Sequence, residues 1–191
     1  VAVPSDFVPV PQRAITEMAE ELINILPPDA RFFDGAAGTG AIGQTLRKVM
    51  PRSRLLGIEK NEELHHELWA WNKTTAPNLV YQFTQHSDIE DFKTKDAAGK
   101  FDCFIARPPD NSVTEFLDHL LKLASFNDDC PVILLFRIER LFDQSPDWVT
   151  WWNAQPLTGI RILTGHVLEG YAWFMFNTPG VKQMGWYKCQ R

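Results

Sequence analysis

Residues 31–40 read Arg-Phe-Phe-Asp-Gly-Ala-Ala-Gly-Thr-Gly. An apolar pair ends in an acid, Asp34, and the stretch that follows is built almost wholly of glycine and alanine. A helical pattern opens at Ala41. This is the signature of a short strand that turns sharply into a helix, with side-chain bulk removed where the chain turns. A ligand can approach such a backbone closely, and the unpaired N–H groups of the helix start face it.

The neighbouring segments extend this unit. Upstream, Ile15, Met18, Ala19, Leu22, Ile23 and Leu26 fall on one face of a helix expected over Ala14–Leu26, which Pro27 and Pro28 stop. Before it, Pro4 to Pro11 reads as an extended arm, residues 1–11 in all. Downstream, a helix is expected from Ala41 to Met50, a strand over Arg54–Ile58 and a helix over Asn61–Trp71. Strands follow at Asn78–Phe83 and Phe101–Ala106, then a helix at Ser112–Ser125. The continuous apolar run Pro131–Phe136 suits a strand covered on both faces. Arg161–Leu163 and Tyr171–Asn177 close the chain as two further strands with no long helix between them. Alternating strands and helices predict an α/β fold with a mostly parallel central sheet, helices on both faces and an antiparallel C-terminal edge. No linker divides residues 1–191, so one domain is expected.

Composition narrows the classes. Apolar residues make up 45% and charged residues 23% of 191, a globular balance that excludes disordered and collagen-like chains. No apolar run reaches the roughly 18 residues of a membrane span. Val1 to Pro11 lacks the pattern of a secretory signal, and the absence of an initial Met leaves room for an upstream piece to have been removed. Cys103, Cys130 and Cys189 form no CxxC pair, which predicts reduced thiols, a cytoplasmic setting and no metal site. The five histidines show no ligand spacing. A net charge of −5 neither demands nor forbids nucleic acid, whose phosphates call for a basic face. The local basic groups are Arg47, Lys48, Arg52 and Arg54, then Lys182, Lys188 and Arg191.

Glu59, at the end of the second strand, adds a carboxylate able to accept hydrogen bonds from both hydroxyls of a ribose. Two cofactor classes fit. Gly38-Thr39-Gly40-Ala41-Ile42-Gly43 satisfies G-x-G-x-x-G, with Glu59 about 20 residues on, as a dinucleotide site requires. Against this, the turn is long, opens with an acid able to steer an ammonium group, and lacks a second nucleotide half.

FFDGAAGTG, GIEK, HSDIEDF and FDCFIARPPD, in this order, resemble the motifs of S-adenosylmethionine-dependent methyltransferases. They are most similar to those of the small prokaryotic or phage enzymes that methylate adenine N6 in DNA. PVPQRAITEMAEEL stands where that family has its N-terminal cofactor-binding segment, and RILTGHVLEGYAWFMF looks like its closing strands. The resemblance implies a Rossmann-like methyltransferase fold and S-adenosylmethionine held by Asp34, Gly35, Ala36, Gly38, Gly40 and Glu59, with Asp88 and Ile89 beside the adenine ring. It implies nucleic acid, DNA foremost, as substrate. With 191 residues there is little room for a target-recognition region, so either the target specificity is low or a protein partner supplies it.

The catalytic loop departs from the family pattern. Asn-Pro-Pro-aromatic normally offers acceptors to the target amine and a ring to stack on the flipped base. Here the loop is Arg107-Pro108-Pro109-Asp110. Arginine carries donors only. An Arg107–Asp110 ion pair across a rigid turn is the structural alternative. Three readings stay open: a degenerate enzyme kept as a binding or regulatory subunit, an enzyme for another substrate with Arg107 gripping an anion, or an isolated substitution. Trp148, Trp151 and Trp152 fit either a buried helix face or an exposed stacking or partner surface.

Overall fold

The computed structural model describes residues 10–74, 81, 83–128, 130–142, 145–163, 170–178 and 184–187. It opens with α1 (Gln12–Leu22), β1 (Arg31–Asp34), α2 (Ala41–Val49), β2 (Arg54–Glu59), α3 (Glu62–Thr74) and β3 (Phe83–His86). A short turn of α4 (Thr94–Ala97) leads to β4 (Cys103–Ala106), α5 (Val113–Ala124), β5 (Val132–Arg137) and α6 (Pro146–Asn153). The chain ends in β6 (Leu157–Leu163), β7 (Tyr171–Phe176) and β8 (Met184–Tyr187). Among the described residues the sheet has eight strands in the order β3-β2-β1-β4-β5-β7-β6-β8. The pairs from β3 to β5 are parallel, β7 runs antiparallel to β5 and β6, and β8 pairs parallel with β6.

Period-two alternation divides the core into two layers. Phe32, Cys103, Ile105, Ile133 and Leu135 face α1 and α2, packing on Ile15, Met18, Leu22 and Leu46. Their neighbours Phe33, Phe104, Val132, Leu134 and Phe136 face the other way, onto Val113, Phe116, Leu117 and Leu120 of α5. Strands so covered must be apolar at every position, which is why β4, β5 and β7 carry such continuous apolar runs. Burying one such side chain stabilises the fold by roughly 1.5–3 kcal/mol.

The expected fold class holds, and the boundaries that differ by four residues or more are three. The first helix ends at Leu22, four residues early, and residues 23–26 form turns. The last strand pair begins at Leu157 rather than Arg161, and α6 and β8 are additional elements. The third strand was expected over Asn78–Phe83; residues 75–80 and 82 lie outside the described residues, and the ladder runs over Phe83–His86. The cause lies at Tyr81. Its N–H donates to Asn72 Oδ1 at 2.9 Å, and its carbonyl accepts from Asn72 Nδ2 at 2.6 Å, so side-chain bonds replace strand pairing there. Most of the expected N-terminal arm, residues 1–9, also lies outside the described residues, as do His166, Lys182, Lys188, Cys189 and Arg191.

Tyr81 explains two of the glycines. Its ring is fully buried against the start of α2 and the middle of β2. A Cβ on Gly43 would stand 2.4 Å from Tyr81 Cζ, and one on Gly57 2.8 Å from the same ring. Gly→Ala inside a helix normally stabilises by up to ~1 kcal/mol. Gly43→Ala is expected to do the reverse, destabilising by about 2 kcal/mol through overpacking. Urea midpoints of the two proteins measure it, and a more stable variant would mean that Tyr81 does not sit there.

Candidate functional site

The parallel strands end together, and a cleft of about 150 Å³ opens above them. Carboxyl ends of strands are where α/β sheets gather ligands. Gly35 and Ala36 from the turn after β1 form one part of its lining, with Glu59 and Lys60 at the end of β2. Ser87, Asp88, Ile89 and Glu90 follow β3, while Pro109, Ser112, Glu115 and Phe116 come from the loop after β4 and the start of α5.

The turn itself is fixed by backbone geometry. Gly38 and Gly40 have φ of 53° and 87°, the left-handed region that glycine enters without strain. Gly38 N–H donates to Glu59 Oε2 at 2.7 Å, and Asn61 N–H donates to Glu59 Oε1 at 2.8 Å. Glu59 is thereby clamped between the turn and the entry to α3, which Asn61 caps by accepting from Leu64 N–H at 3.0 Å. Each carboxylate oxygen keeps further lone-pair capacity. Burial pushes the Glu59 pKa up, and the amides of Asn61, Gly38 and Lys60 counteract it.

Asp34 lies beneath this layer, wholly buried. The Tyr81 hydroxyl donates to its Oδ2 at 2.6 Å and accepts from Gly43 N–H at 3.1 Å. Oδ1 has no well-aligned partner among the described residues. Desolvation raises the Asp34 pKa from 3.8 to about 7, tempered by the Tyr81 hydroxyl and the Ala36 amide. At the cleft rim, Lys60 Nζ pairs with Asp88 Oδ2, joining the ends of β2 and β3. That pairing lowers the Asp88 pKa. Ile89 fills the space over Gly35, where an added Cβ would meet its Cδ1 at 2.5 Å.

The residues singled out in the sequence divide accordingly. Gly35, Ala36, Glu59, Asp88, Ile89 and Pro109 line the cleft, and Gly38 ties Glu59 to the turn. Asp34, Gly40, Arg107, Pro108 and Asp110 are not among the lining residues. Arg107 reaches away to Tyr171, its Nη2 donating to the hydroxyl at 3.3 Å, and the same hydroxyl donates to Asp110 Oδ2 at 3.4 Å. Arg107 and Asp110 approach at 3.9 Å, and Arg137 Nε adds a contact to Asp110 at 3.5 Å. The two guanidinium carbons stand 5.6 and 5.5 Å from the Tyr171 ring centroid. The ion pair expected across the turn is thus one edge of a four-residue network anchored on β5 and β7. Sequence reading missed Lys60, Ser87, Glu90, Ser112, Glu115 and Phe116. Lys60, Ser87 and Glu90 lie inside the quoted motifs GIEK and HSDIEDF, whereas Glu115 and Phe116 carry no signal beyond helix periodicity.

Of the tryptophans on α6, Trp148 is buried and Trp152 packs edge-on against Phe136, Phe174 and Phe176, as a buried face requires. Trp151 is half-buried and its indole N–H donates to Asp118 at 2.8 Å. Cys103 and Cys130 are buried. Among the described residues no group of three or more His, Cys, Asp or Glu is placed to hold a metal ion, and no helix is long and apolar enough to cross a membrane.

No family model and no curated protein matches the chain. Solved structures do. A type I restriction-modification system methyltransferase subunit from Streptococcus thermophilus superposes with a TM-score of 0.67 at 12% identity, over 93% of this chain and 45% of that one. The precorrin-6y C5,15-methyltransferase of Geobacter metallireducens gives 0.64 at 11% identity, over 92% and 91%. Aeropyrum pernix fibrillarin, solved with natively bound S-adenosyl-L-methionine, gives 0.62 at 15% identity, over 86% and 76%. The chain has the Rossmann-like methyltransferase fold.

Proposed function

We propose that this protein binds S-adenosylmethionine in the strand-end cleft and is built as a methyltransferase. The observation that carries the reading is Glu59, a carboxylate fixed by two backbone N–H groups at the wall of a cleft in this fold. The residues fit the group. Glu59 would accept from the ribose hydroxyls, Asp88 and Ile89 would flank the adenine, and the turn of Gly35, Ala36, Gly38 and Gly40 would carry the methionine end. Asp34 Oδ1, buried without a well-aligned partner, is a further acceptor beneath that end. When bound, the cofactor supplies an electrophilic methyl group. The cleft is smaller than the ~300 Å³ of a typical small-molecule site, so filling it entails parting Lys60 from Asp88. Lys60 is 77% exposed, and an exposed ion pair of this kind is worth only ~0–1 kcal/mol.

For the acceptor, the order of the motifs and the place of Pro109 in the cleft support adenine N6 in nucleic acid, DNA before RNA, with a partner protein supplying target recognition. A second reading has its own observation. Arg107 and Asp110 are engaged with Tyr171 and Arg137, so neither of these loop side chains is presented to an amine. On that reading the protein keeps the cofactor site and serves as a binding or regulatory subunit.

Calorimetry with S-adenosylmethionine and its demethylated product tests the cofactor site. Loss of two hydrogen bonds to a charged group predicts that Glu59→Ala weakens binding by roughly 10²-fold. Equal affinity in the variant, or no binding to the parent protein, would overturn the reading. A methyl-transfer assay on DNA and RNA then separates the two acceptor readings.

A further inference from the structure

A second cavity, of about 440 Å³, lies between α5 and α6. Among the described residues that line it, none is Lys, Arg or His. Three are carboxylates: Glu115 and Asp118 on α5 and Asp147 at the start of α6. Trp148 and Trp151 supply aromatic wall, with ring centroids 5.1 Å apart. The wall is held in place before any ligand arrives. Trp151 Nε1–H donates to both oxygens of Asp118, at 2.8 and 3.0 Å, and Thr114 Oγ1 donates to Glu115 Oε2 at 2.7 Å.

We propose that this cavity binds an organic cation of the alkylammonium class. Aromatic wall and carboxylates together are the chemistry that recognises an alkylammonium group, through ring quadrupole and ionic attraction. The same charges repel a phosphodiester chain, which needs cationic partners. Glu115 lines both this cavity and the strand-end cleft, so a ligand seated here abuts the cleft wall. That adjacency sets a bound cation beside the proposed cofactor site, a placement that rests on the cofactor reading above. Cation binding does not rest on it and is measured without cofactor.

The test is calorimetry of the full chain with spermidine and with a short capped peptide whose one charged residue is a lysine. Saturable binding is expected with Kd of about 0.1–1 mM, weakening as salt is raised. Asp118→Asn combined with Asp147→Asn should weaken it at least about tenfold, with circular dichroism unchanged. Asp147→Lys alone, at an exposed position that leaves the Asp118–Trp151 bond intact, should do the same if the double variant fails to fold. Spermidine binding alone assigns a free polyamine as the source of the cation, and peptide binding alone a lysine side chain; either supports the cavity. No saturable heat with either probe up to about 10 mM would overturn the proposal. So would unchanged binding in Asp147→Lys, or displacement of the cation by a single-stranded oligonucleotide. Failure of S-adenosylmethionine to bind, with the cation still bound, would remove the placement beside a cofactor and leave the site.

Discussion

Asp34→Asn is expected to stabilise this protein at pH 8 and to change it little at pH 4. Asp34 is wholly buried, and desolvation lifts its pKa from 3.8 to about 7. The folded state therefore binds this proton more tightly than the unfolded state. Such a group contributes its stability in full below the unfolded pKa and loses it as pH rises from about 4 through about 7. Each pKa unit corresponds to ~1.4 kcal/mol, so the loss is on the order of 4 kcal/mol before local relaxation reduces it. Glu59, also raised by burial, acts in the same direction. An amide has no charge to bury and still accepts from the Tyr81 hydroxyl, so the variant should lose the slope and keep the contact. Urea midpoints at pH 4 and pH 8 for both proteins measure the difference. A variant less stable than the parent at pH 8 would mean that the charged carboxylate is compensated by something other than Tyr81. The same variant informs the site: S-adenosylmethionine affinity unchanged at pH 8 would make Asp34 a packing residue, and weakened affinity would give its Oδ1 a ligand.

The sequence does not show that packing role. Asp34 and the glycines after it have one reading as a ligand cradle and another as a packing device, and the residue that divides them lies outside the motif. Tyr81 is 47 positions away, in a stretch whose apolar residues look like ordinary strand. Only the tertiary structure carries its ring under Gly43 and Gly57 and its backbone onto Asn72, which also displaces the start of β3. By contrast β1, β2, β4 and β5 were legible because each is buried on both faces and bounded by breakers. Glu59 was legible because a carboxylate at a strand end next to a glycine turn has few other tasks. Glu115 was not: on a helix with apolar spacing it is one more polar residue on the solvent side. Arg107 and Asp110 were legible as a departure, but their fate depended on Tyr171 and Arg137, which come from strands that meet only in the folded sheet.

Changing the loop back should have the largest effect on activity. Arg107→Asn together with Asp110→Tyr is expected to raise methyl transfer to adenine in DNA by on the order of 10²-fold over the parent protein, the scale of one well-placed polar group at a reacting centre. The two substitutions act together because the side chains share one network. Arg107 alone removed would leave Asp110 on Arg137 and Tyr171, still turned from the cleft. Removing both charges keeps the local balance, since one cation and one anion leave at once, and frees the loop on either side of Pro109, which already lines the cleft. The introduced amide offers an acceptor where a guanidinium offers only donors, and the introduced ring offers a stacking surface. Transfer of labelled methyl from S-adenosylmethionine to DNA, with cofactor affinity measured on the same samples, gives the answer. A variant that binds cofactor as well as the parent but transfers no methyl to adenine would sink the correspondence between this loop and the adenine-N6 motif. The Arg107–Asp110–Arg137–Tyr171 network would then be a device that closes one end of the sheet, and the second reading, a cofactor site kept for binding or regulation, would stand.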